Sequence, residues 1–167
     1  MCGIVGVYLK NPALESQIGE LFAPMLVAMT DRGPDSAGFA IYGDEVANDW
    51  VKLTLRHPDE AYDWAGLAES FKEQFDVELE WFQNSKVAIF KIHMTDEAAE
   101  LFIAENAPEV LILSAGQSIE ILKEVGLPEQ IAETFNLKGM KGSHIIGHTR
   151  MATESAVTME GSHPFST

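Results

Sequence analysis

Cys2 is the only cysteine in 167 residues, and it opens a glycine-rich apolar segment, Met1-Cys2-Gly3-Ile4-Val5-Gly6-Val7-Tyr8, behind a single methionine. Removal of Met1 would leave a thiol and a free α-amine on one residue. A free α-amine titrates close to neutral pH, so it can take the proton of its own thiol, and the thiolate is the attacking species in cysteine catalysis. The plain alternative is a small buried apolar residue at the start of a strand. Two further segments hold reactive side chains. One is Arg32-Gly33-Pro34-Asp35-Ser36-Ala37-Gly38; the other is Gly147-His148-Thr149-Arg150-Met151-Ala152-Thr153, with His163-Pro164 beyond it. His148 lies two residues before Arg150, so on a strand both side chains point to one face, and His148 is expected to stand behind the reacting groups. For Asp35 a local turn bond is the simpler role. His57, His93 and His144 lack metal-ligand spacing, and no metal is assigned.

The elements that must position these residues are legible in part. Gly3 to Leu9 reads as a buried strand ended by Asn11-Pro12. Ile18, Leu21, Phe22, Met25, Leu26 and Met29 recur at helical spacing, with Pro24 as a kink or late start. Ala37 to Tyr42 and Trp50 to Leu55 read as strands. From about residue 56 to 142 strands and helices alternate: a helix over 61–75, strands near 77–81 and 87–93, a helix N-capped by Thr95 and a strand over 109–113. Ser118 to Val125 then reads as a short helix stopped at Gly126. Pro128 can begin another at its first position. Gly116-Gln117-Ser118 reads as an ordinary turn.

Composition narrows the function classes. The chain has 11 Lys and Arg against 26 Asp and Glu, a formal net charge of -15, which repels phosphate backbones and anionic lipid. Nucleic acid and membrane partners are not expected. One cysteine makes no internal disulfide, no apolar run approaches the roughly 20 residues of a membrane span, and no basic and apolar leader opens the chain. The expectation is a cytoplasmic protein.

The three reactive segments, in this order, resemble the class II, N-terminal-nucleophile (Ntn) glutamine amidotransferases. Members begin with a nucleophilic cysteine, continue through an Arg-Gly-x-Asp loop and carry a His-Thr-Arg strand end. His163, thirteen residues after Arg150, matches the hexosamine-forming members. The run from Met151 to Ser155 and the closing Gly161-Ser162-His163-Pro164-Phe165-Ser166-Thr167 look most like the amidotransferase subunits of glutamate-synthase-like systems, including N-methylglutamate synthase. The resemblance implies Cys2 as the catalytic nucleophile, and Arg32 and Gly33 in the loop beside it. It further implies Arg150, Thr153 and His163 as glutamine-binding residues, Arg150 clamping the α-carboxylate with two parallel charge-assisted bonds. For Arg150 the alternative is a surface ion pair, and for His163 a turn-stabilising role before Pro164. Met151 and Glu154 replace an aromatic residue and a histidine of the hexosamine-forming relatives.

The fold so implied is α+β, an Ntn-hydrolase four-layer αββα sandwich. Residues 1–55 and 143–167 would form the amidotransferase core, truncated at its C-terminal end, and residues 56–142 an α/β insertion. The partners expected are glutamine and synthase subunits that receive ammonia, in a hetero-oligomer. No cofactor is assigned to this chain; flavin or iron-sulfur chemistry would belong to those partners. The family pattern continues past the His-Pro segment with an oxyanion-forming Asn-Gly pair, and no Asn-Gly dipeptide occurs in the sequence. Since one such donor is worth roughly 2.7 to 4 kcal/mol in a comparable site, weak activity of the chain alone is expected. Two alternatives stand beside this reading: an N-terminal-cysteine hydrolase of other amides, and a non-catalytic docking subunit.

Overall fold

The computed structural model describes residues 2–151 and Pro164. In chain order its elements are β1 (Gly3–Tyr8), α1 (Ile18–Val27), β2 (Ser36–Tyr42), β3 (Val51–Arg56), α2 (Trp64–Phe75), β4 (Leu79–Asn84), β5 (Val87–Ile92), α3 (Asp96–Asn106), β6 (Leu111–Gly116), β7 (Ile119–Val125), α4 (Pro128–Thr134) and β8 (His144–Arg150). The described residues are therefore α+β, with four α-helices and two four-stranded sheets. The chain divides into two compact units, Met1–Asp44 with Ile121–Thr167, and Glu45–Glu120.

The sheet of the first unit has the order β1-β8-β2-β7. β1 and β2 both run antiparallel to β8, which lies between them. A 3-10 turn, Pro12–Gln17, leads into α1; the Asn11 side chain accepts the Ala13 N–H at 3.1 Å and holds that turn in place. α1 buries Ile18, Gly19, Phe22, Ala23 and Leu26, a stripe of helical period. Pro24 sits inside the helix and offers no N–H; α1 ends three residues later at Val27. Phe22 and Leu26 press on Gly147 of β8, where a Cβ would stand 2.6 Å from the Phe22 ring. Absence of a side chain at that position is what lets α1 lie on the middle of the sheet. Pro128 opens α4 at its first position, and α4 packs on α1 and β2.

In the second unit the sheet order is β4-β5-β3-β6, with β5 antiparallel to β4 and β3, and β3 antiparallel to β6. One face of β3 and β5, with Val51, Leu53, Leu55, Ala88, Phe90 and Ile92, buries against Trp64, Leu67 and Phe71 of α2 and Phe102 and Ile103 of α3. The Phe71 and Phe102 rings are 4.1 Å apart. Thr95 caps α3 by accepting the Ala98 N–H at 3.3 Å. The opposite face of β3 is polar and still buried: Lys52 Nζ meets Glu120 Oε1 at 3.1 Å, and Ser114 Oγ donates to Thr54 Oγ1 at 2.9 Å. Pairing is what makes such burial tolerable.

One expectation is corrected. Ser118 to Val125 does not form a helix: Ile119–Val125 is strand β7, beside β2. Seven residues make a marginal helix, and Ile119, Ile121 and Val125 are β-branched residues that suit a sheet; the open position beside β2 decides the outcome. The unit boundaries also differ from 56 and 142. β3, read as the last strand of the core, pairs with β5 and β6 in the second unit, whereas residues 121–142 pack with the first.

Candidate active site

The antiparallel register brings the reactive segments to one end of the first sheet. Thr149 of β8 is opposite Gly3 of β1 and Ala37 of β2, and Arg150 is opposite Ser36. Cys2 precedes Gly3, so continuing the register by one residue sets Cys2 level with Arg150. Residues directly opposite on neighbouring strands share a face. Cys2, Arg150 and Ser36 thus form a row across three strands, about 10 Å from end to end at the usual interstrand spacing. Thr149, one residue back, belongs to the other face, the one covered by α1. Cys2 is exposed, Arg150 is partly buried, and Ser36 is fully buried. His148 is opposite Ile4 and Gly38, one step inward on the face of the row, and is 8% exposed.

The Arg32 to Ser36 loop locks the strand end in place through its backbone. Thr30–Arg32 forms a 3-10 turn in which the Arg32 N–H donates to Met29 O at 2.9 Å and the Gly33 N–H to Thr30 O at 3.1 Å. Gly33 then lies directly on the Arg150 backbone: a Cβ there would be 2.5 Å from Arg150 N and C. No other residue fits at this contact without moving β8. The Asp35 N–H donates to Arg150 O at 3.1 Å, and Asp35 O accepts from the Gly126 N–H at 2.9 Å. The Asp35 main chain therefore ties this loop to both Arg150 and Gly126. On the covered face Thr149 Oγ1 donates to Met29 O at 3.1 Å. A Cβ on Gly3 would meet Thr149 Oγ1 at 2.9 Å and Arg32 Cβ at 3.1 Å, so Arg32 stands beside the residue that follows the thiol.

Cys2, Arg32, Gly33, His148 and Arg150 are accordingly brought together, while Thr153 and His163 lie outside the described residues. Ser36 and Thr149 were not singled out from the sequence. Both lie inside the motifs quoted above, and the strand register alone shows that one joins the row and the other anchors it. A cavity of about 600 Å³ in the same unit, lined by Ala23, Pro24, Ala132 and Glu133 among others, includes none of these residues. The reactive row is open rather than enclosed at Cys2. Arg32 lies beside Gly3 and Arg150 is opposite Ser36, so two of the chain's eleven cationic residues fall at this end of the sheet despite the strongly acidic composition. A guanidinium is suited to gripping a carboxylate.

No protein-family model matches the chain. It is 47% identical over 169 residues to the "Glutamine amidotransferase-like protein GlxB" of Rhizobium meliloti, a match covering all of this chain and 55% of the relative. It is 34% identical over 178 residues to a protein of Methanothermobacter thermautotrophicus named "Putative glutamine amidotransferase", covering 99% of this chain and 56% of the relative. The chain thus spans about half the length of the curated relatives it matches. Along its whole length the chain is similar to parts of two proteins, one named glutamine amidotransferase-like and one named putative glutamine amidotransferase.

Proposed function

We propose that this chain carries the glutaminase centre of a class II, Ntn-type amidotransferase, which hydrolyses glutamine on Cys2 and passes ammonia to a synthase. The observation that carries the reading is the row: a thiol and a guanidinium level with each other on adjacent strands, beside the Arg32-Gly33 turn. With Met1 removed, the Cys2 amine takes the thiol proton and the thiolate attacks the side-chain amide carbon of glutamine. The tetrahedral oxyanion collapses, the C–N bond breaks, and the ammonium of Cys2 protonates the departing nitrogen. Water then adds to the γ-glutamyl thioester, giving its proton to the amine; the C–S bond breaks and glutamate leaves. Arg150 holds the α-carboxylate through both steps, and buried His148 fixes the floor beneath it.

The same reading includes the Ntn αββα sandwich, a glutamate-synthase-like setting with separate synthase subunits, glutamine contacts from Thr153 and His163, and action in the cytoplasm. The test is glutamine hydrolysis by the full-length protein and by its Cys2→Ala variant. Ammonia release that depends on Cys2 is the expected result; equal release by both proteins would overturn the mechanism.

A further inference from the structure

Ser36 is the first residue of β2 and is wholly buried, yet its Oγ has no hydrogen-bond partner among the described residues. The other buried hydroxyls among the described residues are satisfied: Ser114 Oγ donates to Thr54 Oγ1 at 2.9 Å, and Thr149 Oγ1 to Met29 O at 3.1 Å. Leaving a buried hydroxyl unmade is costly, and nothing in the strand requires a hydroxyl, since Ala37 and Ala40 serve the same strand. The position of Ser36 is what distinguishes it. It is directly opposite Arg150, and side chains opposite each other on antiparallel strands have Cβ atoms about 4.5 to 5.5 Å apart. A carboxylate gripped by the guanidinium has two oxygens with roughly four lone-pair sites, enough to accept from the neighbouring hydroxyl as well.

We infer that Ser36 is a substrate-binding residue, its Oγ–H donating to the carboxylate that Arg150 clamps. The inference rests on the proposed glutaminase reading and extends it. Cys2 and Ser36 then mark the two ends of the row. The α-carboxylate and side-chain amide of extended glutamine lie four C–C bonds apart, roughly 5 Å. With a contact at each end, that length suits a row spanning two interstrand spacings, about 10 Å. Ser36 selects for the carboxylate end of the substrate and takes no part in cleaving the amide.

The experiment uses the full-length protein with L-glutamine and with 4-aminobutanamide, the same amide lacking the α-carboxylate. Ser36→Ala is expected to raise KM for glutamine roughly tenfold, the scale of one hydrogen bond to a charged group, with kcat within about twofold. Its kcat/KM for 4-aminobutanamide should match that of the unaltered protein, and Ser36→Thr, which keeps the hydroxyl, should restore KM for glutamine. An unchanged KM, or an equal loss on both substrates, would overturn the inference while Cys2-dependent hydrolysis leaves the proposed function standing. If Ser36→Ala does not fold, Ser36→Cys, nearly the same size with a weaker donor, decides by the same split between the two substrates. Failure of the unaltered protein to hydrolyse glutamine through Cys2 would remove the proposed function and this inference with it.

Discussion

The two units of the chain are held together by different means. At the reactive end of the first, bare backbone makes the contacts: Gly33 on the Arg150 backbone, Gly3 against the side chains of Thr149 and Arg32, Asp35 bonded through its main chain. In the second, large side chains meet side chains, with Phe71, Phe90, Phe102 and Trp64 around the sheet. Polar groups differ in the same sense. The second unit pairs its buried Lys52 with Glu120 and its Ser114 with Thr54, whereas Ser36 at the end of the row has no partner for its Oγ among the described residues. A backbone contact fixes position to a fraction of an ångström but tolerates no added atom. An aromatic core supplies stability and is degraded gradually by lost volume. The reactive end of the first unit is thus built for placement, while the first unit's buried Phe22, Phe39 and Phe135, like the aromatic core of the second, supply stability.

That contrast can be broken most forcefully at the core. Phe71→Ala should cost about 3 to 5 kcal/mol of stability, read as a lower urea midpoint, while thiol labelling at Cys2 below the transition is unchanged. Arg150→Lys should do the reverse: little change in the urea midpoint, but KM for glutamine raised by roughly 10- to 100-fold, because an ammonium cannot make two parallel bonds to a carboxylate. Gly33→Ala tests the backbone contact itself. It should cost about 1 to 3 kcal/mol, the usual range for overpacking, and it should lower glutaminase activity in the protein that remains folded, since β8 must move. The smallest effect belongs to Tyr62. Burial pushes its phenol above the ordinary value of 10.0, with Glu109 and Asp63 adding to the rise. The folded state holds that proton more tightly, so its contribution is present below pH 10 and is lost as pH climbs above it. Tyr62→Phe should flatten that alkaline loss of stability, measured as urea midpoints across the range.

The sequence made most of the strands and all four helices legible, the helices through an apolar face of fixed period, a cap or a Pro at the first position. Ile18, Phe22 and Leu26 of α1 and the Thr95 cap of α3 show this directly. Ile119–Val125 was not legible, because a short run of Ile, Leu and Val satisfies either period and only the neighbouring strand selects one. Nothing local in Val51–Arg56 says which sheet it joins, either. At the site, Cys2, Arg32, Gly33, His148 and Arg150 carry their chemistry in their residue types. Ser36 does not, since its role depends on being opposite Arg150 in the register, a long-range fact that no local pattern carries. Thr153 and His163 rest on the family resemblance, being outside the described residues.

The central claim is that Cys2 is the nucleophile and that Arg150 presents glutamine to it. The most direct measurement is to treat the full-length protein with a glutamine-analogue electrophile and locate the adduct by peptide mass spectrometry, with and without excess L-glutamine. The account predicts one adduct, on a Cys2 that has lost Met1, suppressed by glutamine and much reduced in Arg150→Lys. An adduct on any other residue, or a Cys2 that retains Met1 and stays unlabelled, would contradict it.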